Sequence, residues 1–230
     1  GEMWQNLLQS LPKDVSYFVV DLRGFGDSPR PAWHNYSAAG QARCLFRTYR
    51  KANFSGPLII IGHSLGGLVA IEFAKRYRNL TKELILCSPP IYDQPAAPEE
   101  RRKQEDFLRS IYQRISKDPA FIIKAYNIAQ KIRIAHPSIV VEDDNIEMFI
   151  KTLYASIINQ DTIKDIKNIR QQVTIINGLL DPLVVRRNLV NLQKTNSHIQ
   201  LIDIPTSHAV NARYQKTILR AIAKSLSDKE

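Results

Sequence analysis

Two hydrophobic periods alternate along this chain. Trp4, Leu7, Leu8 and Leu11 recur at helical spacing, and Pro12 ends the pattern. Val15 to Asp21 (VSYFVVD) is an apolar, β-branched and aromatic run that predicts a buried strand. Arg23 to Pro29 is a loop by composition. Residues 37–51 read as a helix, and Leu58 to Ile61 as a short strand entering a glycine-rich turn. Leu65 to Tyr77 then forms a helix whose buried side is Leu68, Ile71, Phe73 and Ala74. Glu83 to Cys87 is a further strand, closed by Ser88-Pro89-Pro90.

The texture changes at about Pro95. From there to Arg170 the patterns are helical, as in Phe107, Ile111 and Ile115, or Ile146, Phe149, Ile150 and Leu153. Strands return with Val173–Ile176 and Ile199–Ile204, separated by a helix over 182–193. A last helix covers 210–226. Alternation of strand and helix predicts an α/β fold, a mostly parallel sheet with helices on both faces. The core is then 1–94 and 171–230, and 95–170 is an inserted helical cap.

Composition narrows the function classes. Hydrophobic residues make up 44% of the chain and charged residues 23%, ordinary for a soluble domain. No apolar run approaches the roughly 20 residues of a membrane helix, and the first residues lack the pattern of a signal peptide. Cys44 and Cys87 stand at no metal-ligand spacing and read as free thiols in a reducing, cytoplasmic setting. The glycosylation-like triplets at Asn35, Asn53 and Asn79 are then incidental. The net charge of +10 is spread as +4 over 1–97, +2 over 98–170 and +4 over 171–230. Without a basic stripe, nucleic-acid and membrane partners are not expected.

The motif that carries chemistry is Gly62-His63-Ser64-Leu65-Gly66, between an apolar strand and a helix. A sharp strand-to-helix turn strains the serine and crowds the neighbouring backbone, and glycine two residues before and after tolerates that crowding. Ser64 would project at a helix N-terminus, where the Leu65 N–H and the helix dipole can stabilise an oxyanion. A serine that merely caps this helix is the plainer alternative.

A serine hydroxyl needs a base, and the base an orienting carboxylate. Of the five histidines, His34 sits in a loop after the first predicted strand, His136 precedes Pro137 in the insertion and His198 opens a strand. His208 follows the Ile199–Ile204 strand on a loop that a parallel sheet brings to the edge bearing Ser64, and is the expected base. His63 sits inside the turn and points away. Asp181 follows the Val173–Ile176 strand and is the expected acid, although Asp181-Pro182 is also a good helix start. Asp93 is the alternative acid.

These residues stand in the order Ser64, Asp181, His208. With Asp21-Leu-Arg-Gly-Phe-Gly-Asp-Ser28, Gly62-His-Ser-Leu-Gly-Gly67, Gly178-Leu-Leu-Asp181 and Ser207-His208, the chain resembles the α/β-hydrolase superfamily. The resemblance is to its capped esterase and carbon–carbon-bond hydrolase group. It implies cofactor-free and metal-free hydrolysis of a small-molecule acyl substrate, carboxylesterase-like, through an acyl-enzyme. A carbon–carbon or lactone hydrolase with the same triad, or a non-catalytic binding protein on this fold, are the alternatives. Tyr112, Tyr126, Phe149 and Tyr154 are candidate pocket-lining or cap-packing residues.

The resemblance also implies a His-Gly segment before the first helix as the source of the second oxyanion donor. This chain begins at that helix, so about 25–45 further residues, a hairpin and a central strand, are expected to precede Gly1.

Overall fold

A computed structural model of the chain describes residues 2–92, 103–131 and 146–227. Four strands, β1 (Leu58–His63), β2 (Thr81–Cys87), β3 (Gln172–Gly178) and β4 (Ile199–Ile204), form one sheet in the order β1-β2-β3-β4. Every pairing is parallel. Each crossover carries helix, as parallel connection requires. These are α3 (Leu65–Arg76) between β1 and β2, a helical stretch between β2 and β3, and α8 (Arg186–Thr195) between β3 and β4.

The strands read as continuous apolar runs because both faces of the sheet are covered. Leu84, Leu86, Val173 and Ile175 meet Leu68, Ile71 and Ala74 of α3 and Leu189 and Leu192 of α8. The alternate positions, Ile85, Cys87, Ile176 and Ile204, meet Leu7 of α1 (Gln5–Gln9) and Tyr214, Ile218 and Ile222 of α9 (Ala212–Ser227). The period of two along each strand thus sorts its side chains between two helical layers.

Helix α2 (Ala38–Lys51) begins where the Ser37 hydroxyl accepts the Gly40 N–H at 3.1 Å. Gln41 of α2 is fully buried and clamps the preceding loop: its amide donates to the Arg23 carbonyl at 2.8 Å and accepts the Arg23 N–H at 2.9 Å.

Between β2 and β3 the described residues are helical: α4 (Lys103–Lys117), α5 (Pro119–Lys131), α6 (Ile146–Thr152), a π-helical turn over Leu153–Ile158, and α7 (Thr162–Lys167). Buried Gln160 ties this stretch to the exit of β2. It donates to the Pro90 carbonyl at 2.9 Å and accepts the Tyr92 N–H at 3.2 Å. Lys75 of α3 pairs with Asp165 of α7 at 2.7 Å.

Two expectations are corrected. Val15–Asp21 is not a ladder strand: it forms no β pairing among the described residues, and Tyr17 and Val19 are exposed. An apolar run becomes a strand only with a neighbour to satisfy its backbone, and among the described residues β1 is an edge of the sheet with no further strand beside it. Phe18 instead packs against Phe54, the rings tilted with centroids 4.8 Å apart, and Leu22 packs against the cluster of α2 and α3. The helix expected from Pro182 starts only at Arg186, because the Asp181 carboxylate closes a local turn onto the Leu183 N–H at 2.9 Å rather than capping a helix.

Candidate active site

Each strand delivers one polar side chain at its carboxyl end. Ser64 follows β1, Ser88 follows β2, Asp181 lies three residues past β3, and His208 lies four past β4. The ladder continues past the strands: the Ser64 N–H donates to the Cys87 carbonyl and the Ser88 N–H to the Ile176 carbonyl, both at 2.9 Å.

Ser64 holds φ +51° and ψ −121°, outside the regions that non-glycine residues ordinarily occupy. It occupies the N-cap position of α3, yet its side chain caps nothing. The capping alternative therefore fails, and the hydroxyl is not committed to the helix. A Cβ on Gly62 would overlap the Gly66 carbonyl and lie 2.7 Å from the Gly67 nitrogen, so glycine is obligatory there. Gly66 is different. Its added Cβ would meet open space, so the expected need for glycine on both sides is one-sided: the missing side chain at 62 makes room for the backbone at 66. The Leu65 N–H belongs to the first turn of α3, whose amides have no acceptor within the helix.

Asp181 and His208 meet. His208 Nδ1 lies 2.6 Å from Asp181 Oδ2, and both residues are more than 90% buried. Burial alone would raise the Asp181 carboxyl. Donors from His208, Ser88 and the Leu183 N–H outweigh it and hold the group below the usual carboxylate range. An ionised carboxylate only accepts, so Nδ1 carries the proton and Nε2 is left as the basic nitrogen. His208 does not start the last helix. Asn211 does so, its side chain accepting the Arg213 N–H at 3.0 Å.

His63 is not idle, as its place inside the turn suggested. Its Nε2 donates to the His208 carbonyl at 2.8 Å, and the two rings lie 4.8 Å apart. The residue beside Ser64 therefore anchors the loop that carries His208. No spacing rule signals this bond, which spans 145 residues. Gly178 serves the same loop: a Cβ there would stand 2.6 Å from the Thr206 carbonyl and 2.7 Å from that of Ser207.

The other candidates lie apart. Buried His34 accepts the Tyr36 N–H at 3.0 Å. Burial pushes the Cys87 thiol far up, so it is no nucleophile. Tyr112 is buried and Phe149 packs on the main core cluster, whereas Tyr154 is exposed. Asp93, His136 and the side chain of Tyr126 lie outside the described residues. Among the described residues no group of three or more His, Cys, Asp or Glu could hold a metal ion, and no helix is long and apolar enough to cross a membrane.

Comparison with known proteins gives the family of the chain. The chain is 34% identical over 86 residues to a probable lysophospholipase, BODYGUARD 3, of Arabidopsis thaliana, covering 37% of this chain and 17% of that protein. It is 27% identical over 140 residues to the human (lyso)-N-acylphosphatidylethanolamine lipase, covering 59% and 38%. The chain thus spans well under half the length of these relatives. An esterase from Thermogutta terrifontis superposes with a TM-score of 0.69 at 22% identity, over 98% of this chain and 85% of that one. An enzyme from a Medee basin deep-sea metagenome library superposes at 0.78 and 18%, over 100% and 86%. These two likenesses concern the fold. The model of the α/β-hydrolase fold family matches residues 1–122, more than half of the chain, and the chain belongs to that family.

Proposed function

We propose that this chain is the catalytic part of a serine hydrolase, with Ser64 as nucleophile, His208 as general base and acid, and Asp181 as its orienting carboxylate. The observation that carries the reading is the buried 2.6 Å bond between His208 and Asp181, on the same sheet edge as a serine held at positive φ with an uncommitted side chain. His208 Nε2 takes the Ser64 proton as the hydroxyl attacks a carbonyl. The Leu65 N–H supplies one donor to the oxyanion. His208 then protonates the leaving group, and water attacks the acyl-enzyme by the same route.

The substrate is a carboxylic ester with a small or medium acyl group, and the helices of 95–170 cap its pocket. Support for the cap comes from Tyr112 of α4. It lies 3.3 Å from the Tyr92 hydroxyl, which itself donates to the Leu183 carbonyl at 2.6 Å, just past Asp181. The helical stretch is thereby linked to the loop of the acid. The two unpaired thiols fit a cytoplasmic setting.

Treatment with a fluorophosphonate probe tests the reading. Label is expected on Ser64, with none on a Ser64→Ala variant. Hydrolysis of p-nitrophenyl esters by that variant is expected to fall by at least about 10⁴-fold. Equal labelling of the two proteins would overturn the assignment.

A further inference from the structure

Ser88 ends β2 in a conformation that needs a reason. It is wholly buried, yet it holds φ at +45°, a region that L-residues avoid. Its Oγ lies 2.6 Å from the Tyr214 hydroxyl of α9. The Tyr214 oxygen sits beside the turn that carries Asp181: a Cβ added at Gly178 would stand 2.9 Å from it, and the Gly178 carbonyl accepts the Asp181 N–H at 3.0 Å. The Ser88 hydroxyl is among the donors that hold the Asp181 carboxyl below its usual range, and since a carboxylate only accepts, the phenol of Tyr214 then donates to Ser88. Ser88 and Tyr214 thus join the end of β2 to the loop of Asp181, whose carboxylate also meets the His208 Nδ1 proton.

The geometry points to Ser88 and Tyr214 as positioning residues that hold the Asp181 carboxylate in register with His208. The inference rests on the proposed roles of Ser64, His208 and Asp181. Asp181 then has three anchors: the Leu183 N–H on Oδ1 at 2.9 Å, His208 on Oδ2, and the Ser88 hydroxyl. Leu183 belongs to Asp181's own loop and cannot fix that loop against the sheet. Ser88 can, because its backbone continues the β2–β3 ladder through the Ile176 carbonyl. Burial raises the Tyr214 phenol, which favours its neutral hydroxyl beside Ser88. The plainer role of the Ser88–Tyr214 bond is to pin α9 to the sheet. That role affects stability and leaves the protonation of His208 untouched.

The test is the rate of fluorophosphonate labelling of Ser64 against pH, in the whole chain and in Ser88→Ala, Ser88→Gly and Tyr214→Phe. With one donor fewer, the Asp181 carboxylate holds the Nδ1 proton more tightly and favours the imidazolium. The acidic limb of the profile is expected to move to higher pH in both Ser88 variants, and less in Tyr214→Phe. The rate near neutral pH is expected to fall about tenfold for Ser88 and about threefold for Tyr214, the scale of one hydrogen bond to a charged group and one step removed from it. Ser88→Gly loses the hydroxyl while relaxing the backbone, and Tyr214→Phe leaves the β2 turn intact, so failure of Ser88→Ala to fold would not spoil the measurement. A wild-type limb in every folded variant overturns the positioning role alone. Absence of labelling in the parent chain overturns the assignment of Ser64 and this role with it.

Discussion

Ser64 and Ser88 stand one strand apart on the same sheet edge, each one residue past the end of its strand, at φ +51° and +45°. The two ladders put His63 opposite Cys87, so the serines are neighbours in register. Their surroundings differ in every other respect. Ser64 is flanked two residues away by Gly62 and Gly66, leads directly into α3, and is partly exposed with a side chain that caps nothing. Ser88 is flanked by Leu86 and Pro90, leads into irregular chain, and has its hydroxyl 2.6 Å from that of Tyr214. A strained serine at a strand end is therefore no mark of a nucleophile by itself. The helix behind it and a side chain that caps nothing are what single out Ser64 for the proposed role.

On the proposed reading both serines act through Asp181, Ser64 by way of His208 and Ser88 as a donor to the carboxylate. Asp181→Asn should therefore have the largest effect on the comparison. An amide can donate to Nδ1 and favour the wrong imidazole tautomer, so ester turnover is expected to fall by about 10⁴-fold. Steady-state hydrolysis alongside the Ser64→Ala control measures it. A loss of tenfold or less would mean that His208 is oriented by something other than Asp181.

How much of this was legible in the sequence depends on whether the signal was local. Continuous apolar runs located β1 to β4, because strands covered on both faces need no alternation. The strand-to-helix turn at Ser64 was legible because Gly-His-Ser-Leu-Gly sits between a strand and a helix, and Asp181 and His208 because a parallel sheet collects the loops after its strands. Val15–Asp21 misled for the same reason that the others succeeded: hydrophobicity marks a strand-forming segment but does not supply its neighbour. Ser88-Pro89-Pro90 read only as the close of a strand, and nothing set Tyr214 apart from the rest of the last helix. Their bond joins residues 126 apart. His63 likewise reaches across the whole domain. Contacts made by single hydrogen bonds between distant segments leave no periodic trace.

The next effect in size concerns the backbone around each serine. Gly62→Ala places a Cβ into the Gly66 carbonyl and is expected to destabilise the fold by about 3 kcal/mol. Gly66→Ala meets open space inside a helix and is expected to be neutral or to stabilise by up to about 1 kcal/mol. Urea denaturation of the two variants separates them. Leu86, the counterpart of Gly62 before Ser88, carries a full side chain in the core, so of the two serine turns only that at Ser64 is crowded in this way. Equal destabilisation at 62 and 66 would remove that distinction.

The smallest effect is the most discriminating. Glycine at either serine relieves a left-handed backbone, a gain of about 1 kcal/mol. At position 64 nothing opposes the gain within the helix, since the Ser64 side chain makes no cap bond. Ser64→Gly is therefore expected to unfold at higher urea concentration than the parent while losing all labelling. At position 88 the same relief is set against a buried hydroxyl with two partners, and leaving those partners unmatched costs about 1–3 kcal/mol. Ser88→Gly is expected to match the parent or fall below it. If instead both variants gain alike, the Ser88 hydroxyl contributes nothing to the folded state, and the two turns differ only in exposure. If both lose alike, Ser64 has a partner in the folded protein that offsets its strain, and its hydroxyl is not the uncommitted group that the proposed attack requires.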